Sequence, residues 1–404
     1  MRILIIHNHY KQTGGEDTVF FAEANLLEEH GNIVDKLTFS NNSVNSLADK
    51  LHAALGTLYN FKSANIVEEK LRQFKPDVVH VHNFFPLVSP AVFYVCKRHR
   101  IPVIMTLHNY RLICPSAYLH YKGKVHMENA TQTFPYAAVL DGAYRNSRFH
   151  TASVVLTTGL HKLLNTWRSK VDYFITLTAG AAKLFQQSSL RPHPEQLLIK
   201  PNFTADLGMG AADREDYFLF VGRLSPEKGV ETMLKAHAKH RFKLKVIGDG
   251  PLREMVEAHA QQHSDLEYLG YQKHDRVKQE LQAAKALLFP SEWPEMFGMS
   301  IIEAFSTGTP VIAAKIGGGE HLVHHNYNGL HYTPEQESEL AAQLSQLQQN
   351  VDLARQLGQN ARQSYERLYT PEANYQMLVQ IYEEAINQKK NPASATVVAK
   401  AGFQ

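Results

Sequence analysis

Two glutamates, Glu295 and Glu303, stand eight positions apart, and between them the chain turns from a loop into an apolar helical run, Phe297-Gly298-Met299-Ser300-Ile301-Ile302. One carboxylate before a helix and one inside it can each accept hydrogen bonds from sugar hydroxyls. The backbone N–H groups of Phe297, Gly298 and Met299 fall where a helix starts. The first N–H groups of a helix have no intrahelical acceptor and lie at the positive end of its dipole, so they suit an anion. Glu303 lies on the buried-looking side of the run. A carboxylate there is costly unless it is paired, and polyol hydroxyls would satisfy it. The plain alternative is two ordinary acids near a helix end.

A second constellation precedes this one. Val221-Gly222-Arg223-Leu224-Ser225-Pro226-Glu227-Lys228-Gly229 follows an apolar strand and leads into a helix. Arg223 and Lys228 share that loop, and both can reach one diphosphate, Arg through two oxygens at once and Lys as a point charge. Surface ion pairs are the competing role. Ile247-Gly248-Asp249-Gly250-Pro251 closes a strand with a tight turn, which we take as architecture that also touches the ligand. Near the N-terminus, Asn8 is followed by Gly14-Gly15-Glu16 at the start of a helix, where paired glycines let backbone approach a ligand. A plain turn explains the same residues. Gly-x-Gly-x-x-Gly is absent at this point, which counts against a nicotinamide-dependent dehydrogenase.

Histidines recur at strand ends: His7 and His9, His80 and His82, and His108. Alternate residues of a strand share a face, so each pair presents both rings together. No helix-spaced histidine pair with an acid accompanies them, as a zinc enzyme would require, and no metal is expected. His82 and Asn83, with His108, are expected on the acceptor side of a cleft, and His80 in the core.

These loops need strands to carry them. In the first half the strand candidates are Ile3–His7, Ile33–Phe39, Asp77–His82, Val103–His108 and Tyr173–Leu177. Helical patterns over Thr18–Glu29, Ala64–Phe74 and Val88–His99 lie between them. The second half repeats the scheme with strands Tyr217–Val221, Leu244–Ile247, Leu266–Leu269, Ala286–Phe289 and Val311–Ala314, and helices Glu231–Lys239, Leu252–Gln261 and Met299–Phe305. Near-continuous apolar strands alternating with helices predict α/β architecture with parallel, doubly wound sheets. The join falls at Lys200-Pro201-Asn202. The domains are therefore 1–200 and 201–370. A final helix spans 371–388, opened by Thr370-Pro371-Glu372, with Tyr375, Leu378, Ile381, Tyr382 and Ala385 as its apolar stripe. The tail 389–404 is polar and rich in small residues, and is predicted to be disordered.

The bulk numbers fit two globular domains: 404 residues, 44% hydrophobic, 20% charged and a formal net charge of +3. Such a chain is no general polyanion binder, and no nucleic-acid partner is expected. Cys96 and Cys114 are too few for a disulfide scaffold and predict reduced thiols in a cytoplasmic protein. No run of about 18 apolar residues appears, so no spanning helix is expected. Ala152–Lys170 sets Val154, Val155, Leu156, Leu160, Leu163, Leu164 and Trp167 against His161, Lys162, Arg168 and Lys170, after Tyr144, Arg145 and Arg148. It reads either as a core helix with a solvated basic side or as a peripheral contact with an anionic membrane surface, Trp167 and the leucines entering the interface.

Taken together, Glu295 and Glu303 resemble the Glu-x7-Glu element of retaining glycosyltransferases of family 4, and Arg223 with Lys228 resembles that family's basic pair. Phe289–Ala304 and Pro310–Ala313 look like its donor-binding core, and Gly14-Gly15-Glu16 and Thr106–Arg111 like its N-terminal elements. The resemblance covers nearly the whole chain. It implies the GT-B fold: two Rossmann-like domains facing across a cleft, with the last helix crossing back to the N-terminal domain. It implies a nucleotide-sugar donor, retention of anomeric configuration, and no cofactor or catalytic metal. By resemblance, Arg223 and Lys228 neutralise the departing diphosphate, Glu295 holds the transferred hexose, Glu303 holds the ribose, Gly15 sits near the diphosphate and sugar, and His108 lies at the reaction centre. Gly14, Gly222, Gly248, Phe297, Gly298 and Met299 join the donor side, and Asn109 joins His82 and Asn83 on the acceptor side. Backbone groups around Gly270-Tyr271-Gln272 suit uracil or guanine alike, so the donor is of UDP or GDP type. The expected acceptor is a glycan or lipid-linked molecule of a bacterial surface polysaccharide. The rivals are a nucleotide-sugar hydrolase or epimerase on the same fold and a non-catalytic nucleotide-sugar sensor.

Overall fold

In a computed structural model of the chain, residues 1–9, 15–40 and 56–390 are described. The expected disorder beyond residue 390 and the position of Gly14 lie outside them. The chain divides into two compact units, one of Met1–Tyr121, His126–Lys200 and Tyr375–Gln404, the other of Lys122–Val125 and Pro201–Asn374.

The first unit carries a six-stranded parallel sheet: β1 (Arg2–His9), β2 (Ile33–Ser40), β3 (Val78–Val81), β4 (Val103–Leu107), β5 (Tyr173–Thr176) and β6 (Leu197–Ile199). The strand order is β2-β1-β3-β4-β5-β6. Ile3, Leu4, Ile5 and Ile6 are all fully buried, as a strand with both faces covered by helices demands. The helix Gly15–Glu29 lays Phe20, Ala24 and Leu27 into that core. The second unit repeats the plan with β7 (Phe218–Val221), β8 (Leu244–Ile247), β9 (Leu266–Gly270), β10 (Ala286–Phe289), β11 (Val311–Ala314) and β12 (Gly329–Tyr332), in the order β9-β8-β7-β10-β11-β12. That order is the doubly wound dinucleotide-fold arrangement, whereas the first unit follows the flavodoxin-like one. In both, the strand order reverses beside the first strand, and ligands of open α/β sheets bind at that switch point.

The last strand of each sheet, β6 and β12, was missing from the sequence reading. β6 has three residues, none fully buried, and β12 opens on Asn328-Gly329, which reads as a turn. The helix Pro371–Lys390 runs past the expected end at 388. From Tyr375 onward it belongs to the first unit, where Leu378, Ile381, Tyr382 and Ala385 share a core with Ile3, Ile5 and Phe20.

The Ala152–Lys170 stretch is two helices, Arg148–Leu163 and Thr166–Lys170, broken at Asn165, whose φ is 54°. Trp167 does not reach the surface as the membrane reading supposed. It is fully buried, 5.6 Å from Phe84 and 5.7 Å from Phe93 between ring centroids. Among the described residues no helix is long and apolar enough to cross a membrane.

Leu378 is fully buried in the first unit's core. Leu378→Ala is expected to destabilise that unit by about 2–5 kcal/mol, the range for a buried leucine truncation. Urea unfolding followed by circular dichroism checks this, and an unchanged midpoint would contradict the packing described.

Candidate active site

In the second unit the functional loops leave the C-terminal ends of β7, β8 and β10. The loop after β7 is tied to that after β8 by Gly222 N–H to Ile247 O (3.0 Å) and Leu224 N–H to Asp249 O (2.9 Å). A Cβ on Gly248 would come 1.8 Å from Gly222 O, so side chains are excluded where these two turns meet. Gly229 ends the loop in the left-handed region at φ 67°, and a Cβ there would lie 1.9 Å from Pro290 O. Only glycine lets the segment bearing Arg223 and Lys228 press this closely on the one bearing Glu295.

Glu295 is buried, and one of its oxygens collects three donors. Lys228 Nζ forms an ion pair with Oε1, Ser291 Oγ donates to it at 2.5 Å, and Trp293 Nε1 donates at 3.2 Å. Oε2 has no hydrogen-bond partner among the described residues. Lys228 also lies 5.8 Å from the Trp293 ring centroid and 6.0 Å from that of Phe289. Arg223 is exposed, and its guanidinium has no partner among the described residues.

Helix Met299–Ser306 starts after Gly298, with no side-chain cap. Among the described residues the backbone N–H groups of Phe297, Gly298 and Met299 have no acceptor. Glu303 is half-buried on this helix, its carboxyl without a hydrogen-bond partner among the described residues, and burial pushes that carboxyl above the ordinary range. Gly317-Gly318-Gly319, absent from the sequence reading, backs the Glu295 loop from β11. Gly318 N–H donates to Glu295 O at 2.8 Å, and a Cβ on Gly317, at φ 52°, would lie 2.5 Å from Glu295 N. A run of three glycines after a buried strand was the available signal.

In the first unit, Gly15 opens its helix exposed, and a Cβ there would meet nothing within 4 Å. His82, Asn83, His108 and Asn109 line one small cavity with Arg111. Asn83 Nδ2 donates to Asn8 O at 2.8 Å, and Asn109 Nδ2 to Glu16 Oε2 at 3.4 Å. Burial raises the Glu16 carboxyl to about 7, against the pull of Arg111. Below the cavity lies a buried polar cluster. Lys200 Nζ donates to Glu23 Oε1 at 2.7 Å, both side chains essentially inaccessible. His80 is a core residue whose rings bond Tyr382 Oη and Thr106 Oγ1, each at 2.7 Å. His82 Nδ1 and His108 Nε2 are 3.0 Å apart. Sequence reasoning missed Glu23 and Lys200, which are 177 positions apart.

Among the described residues, two groups bring together donor atoms of the kinds that ligate metals, His7–His9–Asp17 and Glu23–His80–His82, each within 4.8 Å. The second fits a dication poorly, because the Lys200 ammonium already neutralises Glu23 and both nitrogens of His80 are engaged. In the first, His7 Nε2 (3.0 Å) and His9 Nδ1 (2.6 Å) both close on Asp17 Oδ1.

Comparison with known proteins adds the class. The family described as Glycosyl transferases group 1 matches residues 208–364, and Glycosyltransferase Family 4 matches residues 19–187. With the two parallel sheets, these matches define a glycosyltransferase of the GT-B fold. An uncharacterised glycosyltransferase of Methanocaldococcus jannaschii is 24% identical over 325 residues, 77% of this chain and 76% of that protein. The O-antigen chain mannosyltransferase C of Escherichia coli is 26% identical over 179 residues, 43% of this chain and 48% of its own length. Anabaena HepE, solved in complex with UDP, has the same fold at a TM-score of 0.68 and 18% identity, covering 95% of this chain and all of its own.

Burial holds the imidazolium forms of His7, His80, His82 and His108 below their ordinary range, His108 to about 4. An unfolded histidine takes up a proton near pH 6.5. Between that pH and about 4 the unfolded chain therefore binds more protons, so stability rises with pH and is lost as pH falls. Glu16 and Glu303, raised by burial, act oppositely but are fewer. The melting temperature is expected to hold above pH 7 and drop steadily below about 6.5. A flat profile from pH 7 to 5 would contradict the buried neutral histidines.

Proposed function

We propose that this glycosyltransferase is a retaining hexosyltransferase, moving a sugar from a UDP- or GDP-type donor to a glycan or lipid-linked acceptor in surface-polysaccharide synthesis. The observation that carries the reading is the joint placement, in one unit, of Glu295, Lys228 and Arg223 with three acceptor-free N–H groups at a helix start. Breaking a sugar–phosphate bond builds negative charge on the leaving diphosphate. Fixed cations and helix-start N–H groups stabilise that charge without reorganising. Arg223 and Lys228 take the diphosphate, together with the N–H groups of Phe297, Gly298 and Met299 and the close backbone turns at Gly222 and Gly248. Glu295 accepts from the hexose hydroxyls through its open oxygen, and Glu303 accepts from the ribose.

His108 acts at the reaction centre of the first unit, with Gly14 and Gly15 on the donor side and His82, Asn83 and Asn109 on the acceptor side. The acceptor hydroxyl oxygen attacks the anomeric carbon from the face the diphosphate leaves. The bonding pair departs with the diphosphate, which takes up the hydroxyl proton. No cofactor or metal enters. The mannosyltransferase among the relatives and the UDP complex of HepE support the donor and pathway class.

In an assay with the cognate donor and acceptor, Arg223→Ala is expected to lower kcat by about 10²–10³-fold, as loss of one transition-state contact does. Wild-type turnover is expected to survive EDTA. Near-normal turnover of the variant, or loss in EDTA restored by Mg²⁺, would overturn the reading. Donor consumption without acceptor would favour a hydrolase.

The same protein is proposed to rest on an anionic bilayer that presents the acceptor. On the helix Arg148–Leu163 and its end, Phe149 (51% exposed), Leu156 (46%), Leu163 (63%) and Leu164 (64%) recur at helical spacing, with Tyr136 and Leu140 also exposed. From Ala130 to Lys170 the only acid is Asp141, against Arg145, Arg148, Lys162, Arg168 and Lys170. An apolar stripe with a basic surround suits anionic headgroups. Co-sedimentation with phosphatidylglycerol vesicles at low salt is expected, weakening with salt and in Leu156→Asp/Leu163→Asp. No binding at low salt would refute it.

A further inference from the structure

We propose that Glu23 and His82 are positioning residues that hold His108 in one neutral form, with its hydrogen on Nε2 and a lone pair on Nδ1, so that His108 receives a hydroxyl and not a phosphoryl oxygen. The inference rests on the reading of His108 given above and names the ligand chemistry that its ring admits.

The constraint begins at Lys200. Its ammonium lies 2.7 Å from Glu23 Oε1, and both groups are cut off from water. Burial alone would protonate Glu23, but the Lys200 ammonium bonded to it outweighs that and keeps the carboxyl below its ordinary range. Glu23 is therefore a carboxylate and can only accept. Its second oxygen lies 3.4 Å from His82 Nε2 and 3.9 Å from His80 Nδ1, and neither that oxygen nor His82 Nε2 makes an aligned hydrogen bond among the described residues, so the contact acts through charge. A lone pair on that nitrogen would face a buried anion across 3.4 Å, whereas a hydrogen there makes the contact favourable. A neutral imidazole carries one hydrogen, so His82 Nδ1 holds a lone pair.

His108 Nε2 stands 3.0 Å from that Nδ1. Two lone pairs cannot share this distance, so the hydrogen belongs to His108 Nε2. That leaves Nδ1 of His108 as a bare acceptor. It has no partner among the described residues, and the ring is only half-buried in the cavity wall. His80 takes no part in this ordering, because Tyr382 and Thr106 occupy both its nitrogens.

The consequence is chemical selectivity. Phosphoryl oxygens carry lone pairs alone and are repelled by a bare ring nitrogen. A sugar hydroxyl donates its hydrogen to Nδ1 and is held by it. The polar core under the sheet thus decides which part of a substrate His108 meets, although Glu23 and His82 need not touch it.

The test is nitrogen NMR of the full chain labelled with ¹⁵N-histidine, using long-range ¹H–¹⁵N correlation, with His108 identified by the signals lost in His108→Ala. In the wild type at pH 7.5, His108 Nδ1 is expected to give a non-protonated shift and Nε2 a protonated one. The opposite assignment, or an even mixture, would overturn the proposal. Glu23→Gln can donate its amide hydrogen to His82 Nε2, and is expected to reverse both rings. It should lower kcat by roughly 10–100-fold with little change in KM, an effect of the size seen when the outer partner that orients a metal-bound histidine is removed. If Glu23→Gln does not fold, His82→Phe serves: it leaves His108 Nε2 without an acceptor, and an unaltered pure Nε2–H form there would also overturn the proposal. Absence of sugar transfer by a wild type whose His108 ring is as expected would count against the function proposed above and not against this assignment.

Discussion

The contact between Lys228 and Glu295 joins two loops that leave different strands, and the second unit's site depends on it. A buried carboxylate is tolerated only when paired and hydrogen-bonded. Glu295 meets that condition through Lys228, Ser291 and Trp293 at a single oxygen, which leaves the other open. The pair in turn requires the loops to touch as backbone. Gly229 lies against Pro290 and Gly317 against the Glu295 backbone at distances that no side chain would permit. Two opposite charges are thereby held ready before any donor arrives, which is the condition for electrostatic stabilisation without reorganisation.

The first unit solves a different problem. Its strand ends carry histidines beside Glu23 of the helix Gly15–Glu29 in a place almost closed to water, and a neutral hydrogen-bonded arrangement is the inexpensive one. Lys200 supplies a fixed cation to Glu23, and Tyr382, from the last helix, closes the far side of His80. The last helix therefore does more than fill the core with Leu378 and Ile381. It completes a polar network that begins beneath the cavity lined by His82 and His108.

Much of this was legible in the sequence. Apolar runs such as Ile3–Ile6 and Leu287–Phe289 could only be covered strands, and the Glu295–Glu303 segment carried its loop-to-helix change in plain view. Strands β6 and β12 were hidden because one is a short edge and the other starts at a glycine that reads as a turn. Glu23 and Lys200 were hidden for another reason: one sits in a helical pattern and the other at a domain join, and only the folded sheet brings them together. Trp167 misled because an aromatic among basic residues looks interfacial, while its helix breaks at Asn165 and turns the ring inward. The glycines at 317–319 were visible as residues, but their purpose is a contact with a loop more than twenty positions earlier.

A double-mutant cycle on Lys228 and Glu295, read as kcat/KM for sugar transfer with Lys228→Ala, Glu295→Gln and the double variant, tests the central claim most directly. If the two residues act as one prepared unit, each single change removes much of what the pair provides. The double variant then loses less than the sum, by an interaction energy of about 0.5–3 kcal/mol. Strictly additive losses would contradict the account, since they would mean that the contact between the two loops has no part in the reaction.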